Sequence, residues 1–369
     1  MKKIILIFLL FCFKTSFSQY VTTIFNSNSI QIDDAIILDK YGNIYGSHYM
    51  GSNVHKIDKS GLVSIVKSGL NTPNGLAFDS HQNLYIVDNI GNRIYKIDST
   101  GNQLLSITLN SPSGIIKEID SDTMIVTQYS GHAVRKIAPN GQVINTPMHY
   151  GFPLNGPVGM CYSQDSTLYI GNFGDRKIFK YVNDTVVYIA QIPASGNVNL
   201  GFLTYANGLL YGTSFQSDKI YEINPNYIDS VRILAGSIQG NIDGNLQTAR
   251  FNNPNGIFAS KGGDSLLVSD FNSGNIRLIS GLNNQINPYY APSKSLEIYP
   301  NPCNGEFAIK SKDKFYQIEI VSLNGKSYFK NNFNPSDFIK IKENLPIGCY
   351  FILIKHKDYS LVKKLFVVK

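Results

Sequence analysis

Reactive side chains do chemistry in company, and few in this sequence have it. Beyond residue 18 the histidines are His48, His55, His81, His132, His149 and His356. A histidine becomes a general base when a carboxylate orients it or a metal-bound water lies beside it. None belongs to a His-Glu-x-x-His pair, no serine sits in Gly-x-Ser-x-Gly, and there is no phosphate-binding loop. His48 and His132 fall in equivalent loops and are the two candidates for acid–base work. Between residues 19 and 290 the only glutamates are Glu118 and Glu222, so glutamate is scarce there. Cys161, Cys303 and Cys349 have no second cysteine or histidine at a metal-binding spacing. Cys161 lies in an apolar segment and reads as a small core residue.

Residues that grip a ligand recur instead. One column, His48, Asp88, Gln128, Asn172, Ser214 and Asp270, is polar at every position. The next residue in each case gives a second column, Tyr49, Asn89, Tyr129, Phe173, Phe215 and Phe271, aromatic in five of six. Flat rings beside amides and carboxylates suit sugars and peptides, the rings supplying contact area and the polar groups fixing orientation. The same residues also have a scaffolding use. A polar side chain ahead of a turn can hold the turn backbone, and the rings can pack between neighbouring sheets. A third set, Asp34, Asn74, Ser113 and Asn255, enters what are predicted to be inner strands, and it is expected to line a central channel. Oxygens of this kind can hold Ca²⁺, but no compact calcium loop exists. No cofactor is therefore expected, and Ca²⁺ is the one candidate left open.

The elements that carry these columns repeat. Pro73-Asn74-Gly75-Leu76, Pro112-Ser113-Gly114-Ile115, Pro157-Val158-Gly159-Met160, Asn199-Leu200-Gly201-Phe202 and Pro254-Asn255-Gly256-Ile257 share a pattern, with a degenerate copy at Asp33-Asp34-Ala35-Ile36. Aligned on the glycine, with Ala35 in its place, the copies are 40, 39, 45, 42 and 55 residues apart. A period near 40 is the length of a propeller blade. Each unit continues with an alternating segment such as Leu84 to Asp88, another such as Arg93 to Ile97, and a weaker fourth such as Gln103 to Ile107. The last unit ends at Ile279 with three strands. Tyr20 to Phe25 is an unpaired strand that is expected to complete it and close the ring, removing an exposed edge. Residues 19–282 are therefore expected to form a six-bladed β-propeller.

These units resemble NHL repeats. The resemblance is clearest in Leu234-Ala235-Gly236-Ser237, Asp243-Gly244, Ala249-Arg250-Phe251-Asn252-Asn253-Pro254-Asn255-Gly256-Ile257 and Asn275-Ile276-Arg277-Leu278-Ile279. It implies a fold more than a function, because such propellers serve as binders of peptides, glycans and proteins and occasionally as lyases or lactonases. The expected role is a non-catalytic binding module. The alternative is a metal-assisted lactonase or lyase, although six-bladed lactonases rely on an acidic calcium cage that cannot be assembled here. A third possibility is a structural component of the cell surface.

The two ends of the chain direct export. Lys2 and Lys3, the apolar run Ile4 to Phe13 and the small residues Ser16 and Ser18 read as a signal peptide over residues 1–18, cleaved before Gln19. The run is about ten residues, short of the roughly 20 a membrane-spanning helix needs. Bulky Phe11 ahead of Cys12 argues against lipidation. Pro288 and Pro292 mark a linker over 283–294. From 295 to 369, alternating segments with turns at Asn304-Gly305 and Asn324-Gly325 predict a small immunoglobulin-like β-sandwich. Here Tyr299-Pro300-Asn301-Pro302, Gly305, Gly348, Tyr350 and the terminal Lys363-Lys364-Leu365-Phe366-Val367-Val368 resemble the type A C-terminal sorting domain of type IX secretion substrates. The resemblance implies recognition by that secretion machinery, passage out of a Gram-negative cell, and release or attachment at its surface. Export permits a disulfide, and Cys303 and Cys349 are either paired or free buried thiols.

The charge agrees with this division. The net charge is +7, yet residues 19–290 hold 17 basic and 19 acidic side chains, while 291–369 hold 13 lysines against 7 acids. The propeller lacks the basic surface that nucleic acid requires. It is expected to work as a monomer that does not span a membrane.

Overall fold

The structure is a computed structural model that describes residues 19–26, 31–183, 185–193, 198–282, 296–322, 326–356 and 360–368. The expected signal peptide, the linker and the Asn324-Gly325 turn lie outside these residues. Among the described residues there is no α-helix. Five four-stranded antiparallel sheets follow one another along the chain, and a sixth contains strands from both ends of the propeller region.

Burial explains the strand sequences. In blade two the second strand, Leu84–Asp88, is buried at every residue, because neighbouring sheets cover both its faces. The outermost strand, Gln103–Thr108, is mostly exposed, and its covered residues, Leu105 and Ile107, alternate with exposed ones. The innermost strand, Pro73–Phe78, carries a bulge. Pro73 pairs with Asp88 and Leu76 with Ile86, so Asn74 and Gly75 together oppose the single residue Val87. The same two-for-one pairing recurs in the other blades.

In blades two, three, four and six the second bulge residue is glycine, because the next blade lies against it. A Cβ on Gly114 would fall 1.9 Å from the Val158 carbonyl oxygen, and one on Gly256 2.0 Å from that of Asp34. Hydroxyls on the opposing strand reinforce these contacts. Ser47 donates to the Asn74 carbonyl at 2.7 Å, Ser269 to that of Asp34 at 2.6 Å, and Thr213 to that of Asn255.

Blade five departs from the sequence alignment. Leu200 pairs with Ser214 and Leu203 with Gly212, so the bulge residues are Gly201 and Phe202. Phe202 therefore occupies the column where other blades carry glycine or alanine, and Gly201 occupies that of Asn74. The last two repeat spacings become 43 and 54 residues. A glycine one position early satisfied the spacing pattern and concealed the shift.

The ring closes as the sequence predicts. Tyr20–Phe25 pairs with Asn275–Ser280, and the short strand Gly244–Asn245 lies outside it. Val21 is fully buried in the blade-six core with Leu246, Phe251, Leu266 and Ile279. Arg277, also fully buried, holds the junction. It donates to the carbonyls of Arg250 and Ile242 at 2.8 and 3.0 Å and to Asp243 Oδ1 at 2.9 Å, with its guanidinium 5.0 Å from the Phe251 ring centroid. Asp243 in turn accepts the backbone N–H of Thr23 at 2.9 Å. The residues that resemble an NHL signature thus fasten the N-terminal strand.

The C-terminal region has its own sandwich-like β-structure. The strand Glu306–Ser322 pairs with Ser327–Lys342 along both. Glu297–Tyr299 flanks its first part, Gly348–His356 flanks its second, and Ser360–Val367 lies beyond. Phe307, Ile309, Ile318, Ile320, Ile352 and Leu365 share its core. Short separate strands are what the sequence suggests, but the backbone continues from Glu306 to Ser322, with register shifts between Lys310 and Gln317. Cys303 and Cys349 are free. Cys303 aligns with buried Val367 and Cys349 with exposed Phe366. Adjacent strand residues face opposite sides of the sheet, which separates the two thiols.

Gly114→Ala is expected to cost about 2–3 kcal/mol through overpacking. Gly174→Ala, with no heavy atom within 4 Å of the new Cβ, should change stability by less than about 0.5 kcal/mol. Urea unfolding of the two variants measures the contrast.

Candidate functional site

Each inner strand starts at one mouth of the channel, where the loops after the second strands also converge. There a cavity of about 460 Å³ opens. All six residues of the second column line it: Tyr49, Asn89, Tyr129, Phe173, Phe215 and Phe271. Neighbouring rings touch around the rim, with centroids 6.1 Å apart for Tyr129 and Phe173, 6.3 Å for Phe173 and Phe215, and 5.2 Å for Phe215 and Phe271. None of the six is fully buried: Tyr129 is exposed and the other rings are half-buried, so part of each ring stays open. Asn89, the non-aromatic member, donates to the Pro112 carbonyl at 2.7 Å.

The first column lies beneath. Five of its six residues are buried, and His48 is partly so. Their polar atoms are engaged with the scaffold. Asp88 accepts the backbone N–H groups of Asn71, Thr72 and Gly91 at 3.0, 2.8 and 3.2 Å. Gln128 donates to the Asn110 carbonyl at 2.7 Å, and Asn172 to that of Pro153 at 3.0 Å. Ser214 bonds Ser217. Asp270 accepts the Asn252 N–H at 2.7 Å, and burial pushes its carboxyl up to about 6 despite Arg277 nearby. The two columns, adjacent in sequence, therefore face different surroundings: one grips loop backbone and the other borders the cavity.

The two candidate histidines are tied into loops. His48 Nδ1 pairs with Asp33 at 2.5 Å, and Gly51 lies against its ring, where a Cβ would be 1.9 Å from Cδ2. His132, with a φ of 47°, accepts the Gly156 N–H through Nδ1 at 2.9 Å.

The floor is formed by the first bulge residues. Asp34, Asn74, Ser113 and Asn255 line it, as the sequence predicts, and so does Val158. Phe202, hidden by the register shift, lines both this cavity and one of about 430 Å³ at the opposite end of the channel. It also packs against the core of blades one and two, across the channel from its own blade. Met50, Ser111 and Ser130 complete the rim; extending the second column by one residue finds Met50 and Ser130. Asn255 donates to Asp34 Oδ1 at 2.6 Å. Asp34 Oδ2, Asn74 Oδ1 and Asn255 Oδ1 are buried without a partner. Burial, followed by the neighbouring Asp33, holds the Asp34 carboxyl well above the usual carboxylate range. For Ca²⁺ this floor supplies one carboxylate and a few neutral oxygens, against the six to eight ligands the ion takes. Among the described residues the one cluster of three potential metal ligands is Asp79, His81 and Asp122, away from this cavity. There Asp79 is already engaged by Lys96 at 3.0 Å.

The sorting-motif residues also have structural duties. Tyr299 ends its strand, and Pro300 and Pro302 bracket Asn301. Asn301 donates to the Lys364 carbonyl at 2.8 Å and accepts the Phe366 N–H at 2.9 Å, clasping the last strand. Gly305, at a φ of 100°, comes so close to Glu343 that a Cβ would lie 2.5 Å from its carbonyl oxygen. Gly348 opens the strand that carries buried Tyr350, whose hydroxyl donates to the Pro346 carbonyl at 2.7 Å. Lys363 and Lys364 are exposed.

Residues 297–368 match the family described as the secretion system C-terminal sorting domain. This domain marks the chain for export by the type IX machinery to the cell surface or beyond it. No helix of the described residues is long and apolar enough to cross a membrane. No curated protein matches the sequence. Among solved structures, an auxiliary nutrient binding protein from Bacteroides thetaiotaomicron is similar at 16% identity and a TM-score of 0.59, over 71% of this chain and 76% of that one. A gluconolactonase from Xanthomonas campestris is similar at 15% and 0.55, over 71% and 89%. Virginiamycin B lyase from Staphylococcus aureus is similar at 18% and 0.52, over 66% and 79%. At these identities the likeness is one of fold.

Asp88→Ala, which strands buried backbone donors, is expected to destabilise the protein by about 2–4 kcal/mol. Tyr129→Ala, at the open rim, should cost at most about 1 kcal/mol. Thermal melts distinguish the two. In the C-terminal domain, Asn301→Ala should speed hydrogen exchange at the Phe366 amide about five- to tenfold, corresponding to one lost hydrogen bond.

Proposed function

We propose that the propeller is a non-catalytic binding module for a peptide, glycan or protein outside the cell, delivered there by its sorting domain. The observation that carries this reading is the collar. Five aromatic side chains from five blades border one cavity, with part of each ring open and neighbours in edge or tilted contact. Aromatic residues held in this way offer large contact area at low conformational cost. A scaffold alone has no need to gather partly open rings from five blades around one cavity, because burial is what makes a core aromatic stabilising. The first column supports the reading indirectly: it pins the loops from which the rings project.

Peptide and glycan arrays probed with the chain from Gln19 to Lys369 should identify a ligand. Its affinity is expected to fall at least about tenfold in a Phe173→Ala, Phe215→Ala double variant, with the melting temperature within about 2 °C of the parent. A ligand indifferent to both substitutions binds elsewhere and removes the cavity from the reading.

A further inference from the structure

The floor of the collared cavity is asymmetric. Blades six, one and two contribute Asn255, Asp34 and Asn74, while blades four and five contribute Val158 and Phe202. On the polar side, the atoms without partners are Asp34 Oδ2, Asn74 Oδ1 and Asn255 Oδ1. All three are acceptors. Asn255 Nδ2 is already used on Asp34 Oδ1. Asp34 is about 1% exposed and Asn74 and Asn255 6% and 8%, so bulk water does not satisfy these atoms. A buried acceptor left alone costs on the order of 1–3 kcal/mol, and this floor leaves three on consecutive blades.

We propose that this floor is a seat for a primary ammonium group, the side chain of a lysine or the N-terminus of a peptide, which enters through the collar and donates its three N–H bonds to Asp34, Asn74 and Asn255. The inference rests on the cavity being the binding site. An ammonium has three donors and no acceptor, the complement of this floor. A sugar hydroxyl brings a single donor. A guanidinium is a planar fork that calls for paired carboxylates, and Ca²⁺ needs more oxygen ligands than one side of this ring supplies. The walls agree. Aromatic faces attract a cation as it is desolvated, and Val158 and Phe202 offer an apolar side to the carbon chain behind it. The ligand's charge also suits Asp34: burial raises its carboxyl well above the usual carboxylate range, and a cation beside it favours the ionised form, which accepts.

Calorimetric titration of the chain from Gln19 to Lys369 tests this with Nα-acetyl-lysine methylamide, which has a side-chain ammonium, with phenylalaninamide, which has a terminal one, and with the acetylated form of each amine. One ammonium probe is expected to bind, and its acetylated form at least about tenfold more weakly. Which of the two binds identifies the source of the group. Asp34→Asn, nearly the same shape, should abolish the preference. The inference is overturned if acetylation leaves affinity unchanged, if Asp34→Asn keeps the preference, or if neither ammonium binds below about 10 mM. It is equally overturned if a few millimolar Ca²⁺ stabilises the parent but not Asp34→Asn and excludes the amines. The acetylation comparison uses the unaltered protein, so it decides the matter even if Asp34→Asn folds poorly. An array ligand that depends on Phe173 and Phe215 but ignores both Asp34 and its own amines would overturn the ammonium seat alone. Array ligands that all ignore the rings would remove the binding reading as well.

Discussion

Six inner strands share one axis, and neighbouring strands crowd each other at the bulge. In blades two, three and six a backbone carbonyl of the next blade lies about a bond length or two from where a Cβ would project, as Val158 does toward Gly114 and Asp34 toward Gly256. Every other feature follows from this crowding. Glycine at the contact lets the strands close up. The bulge that places it turns the preceding residue toward the channel mouth. The hydroxyls of Ser47, Thr213 and Ser269 then bond the carbonyls so exposed. A floor of side chains and a tight ring are thus two results of one backbone irregularity.

The ring has a seam, and charge holds it. Blade six takes a strand from the far end of the propeller region, so no local turn aligns it. Arg277 does that work from a fully buried position, reaching two carbonyls and Asp243, which holds Thr23. A buried cation is costly unless its donors are satisfied. The carbonyls and Asp243 occupy both Nη atoms and Phe251 packs beneath the guanidinium, while Nε is left without a partner.

Much of this was legible in the sequence. The forty-residue period gave the blades, the unpaired Tyr20–Phe25 gave the closing strand, and the polar and aromatic columns gave the positions of loop and rim. What was not legible lay in two kinds of place. The first is backbone register. Gly201 mimics the shared glycine, and only pairing across to Ser214 and Gly212 reveals Phe202 in that column. Likewise, short alternating segments suggest separate strands in the C-terminal region, yet one continuous strand runs from Glu306 to Ser322. The second is the division of labour between adjacent residues. Asp88 and Asn89, or Asn172 and Phe173, look like one site in sequence, yet opposite faces of a strand end carry them to different duties. The hydroxyl column, Ser47, Thr127, Thr213 and Ser269, was visible one position earlier, but its interruption by Val87 and Gly171 hid it.

Phe202 changes what kind of opening the propeller has. A phenyl ring lodged on the axis, touching the core of blades one and two, lies between two cups placed back to back. Whatever enters one cup must leave by the same opening. A long polymer cannot be threaded through, so only a chain end or a side branch can reach the bottom.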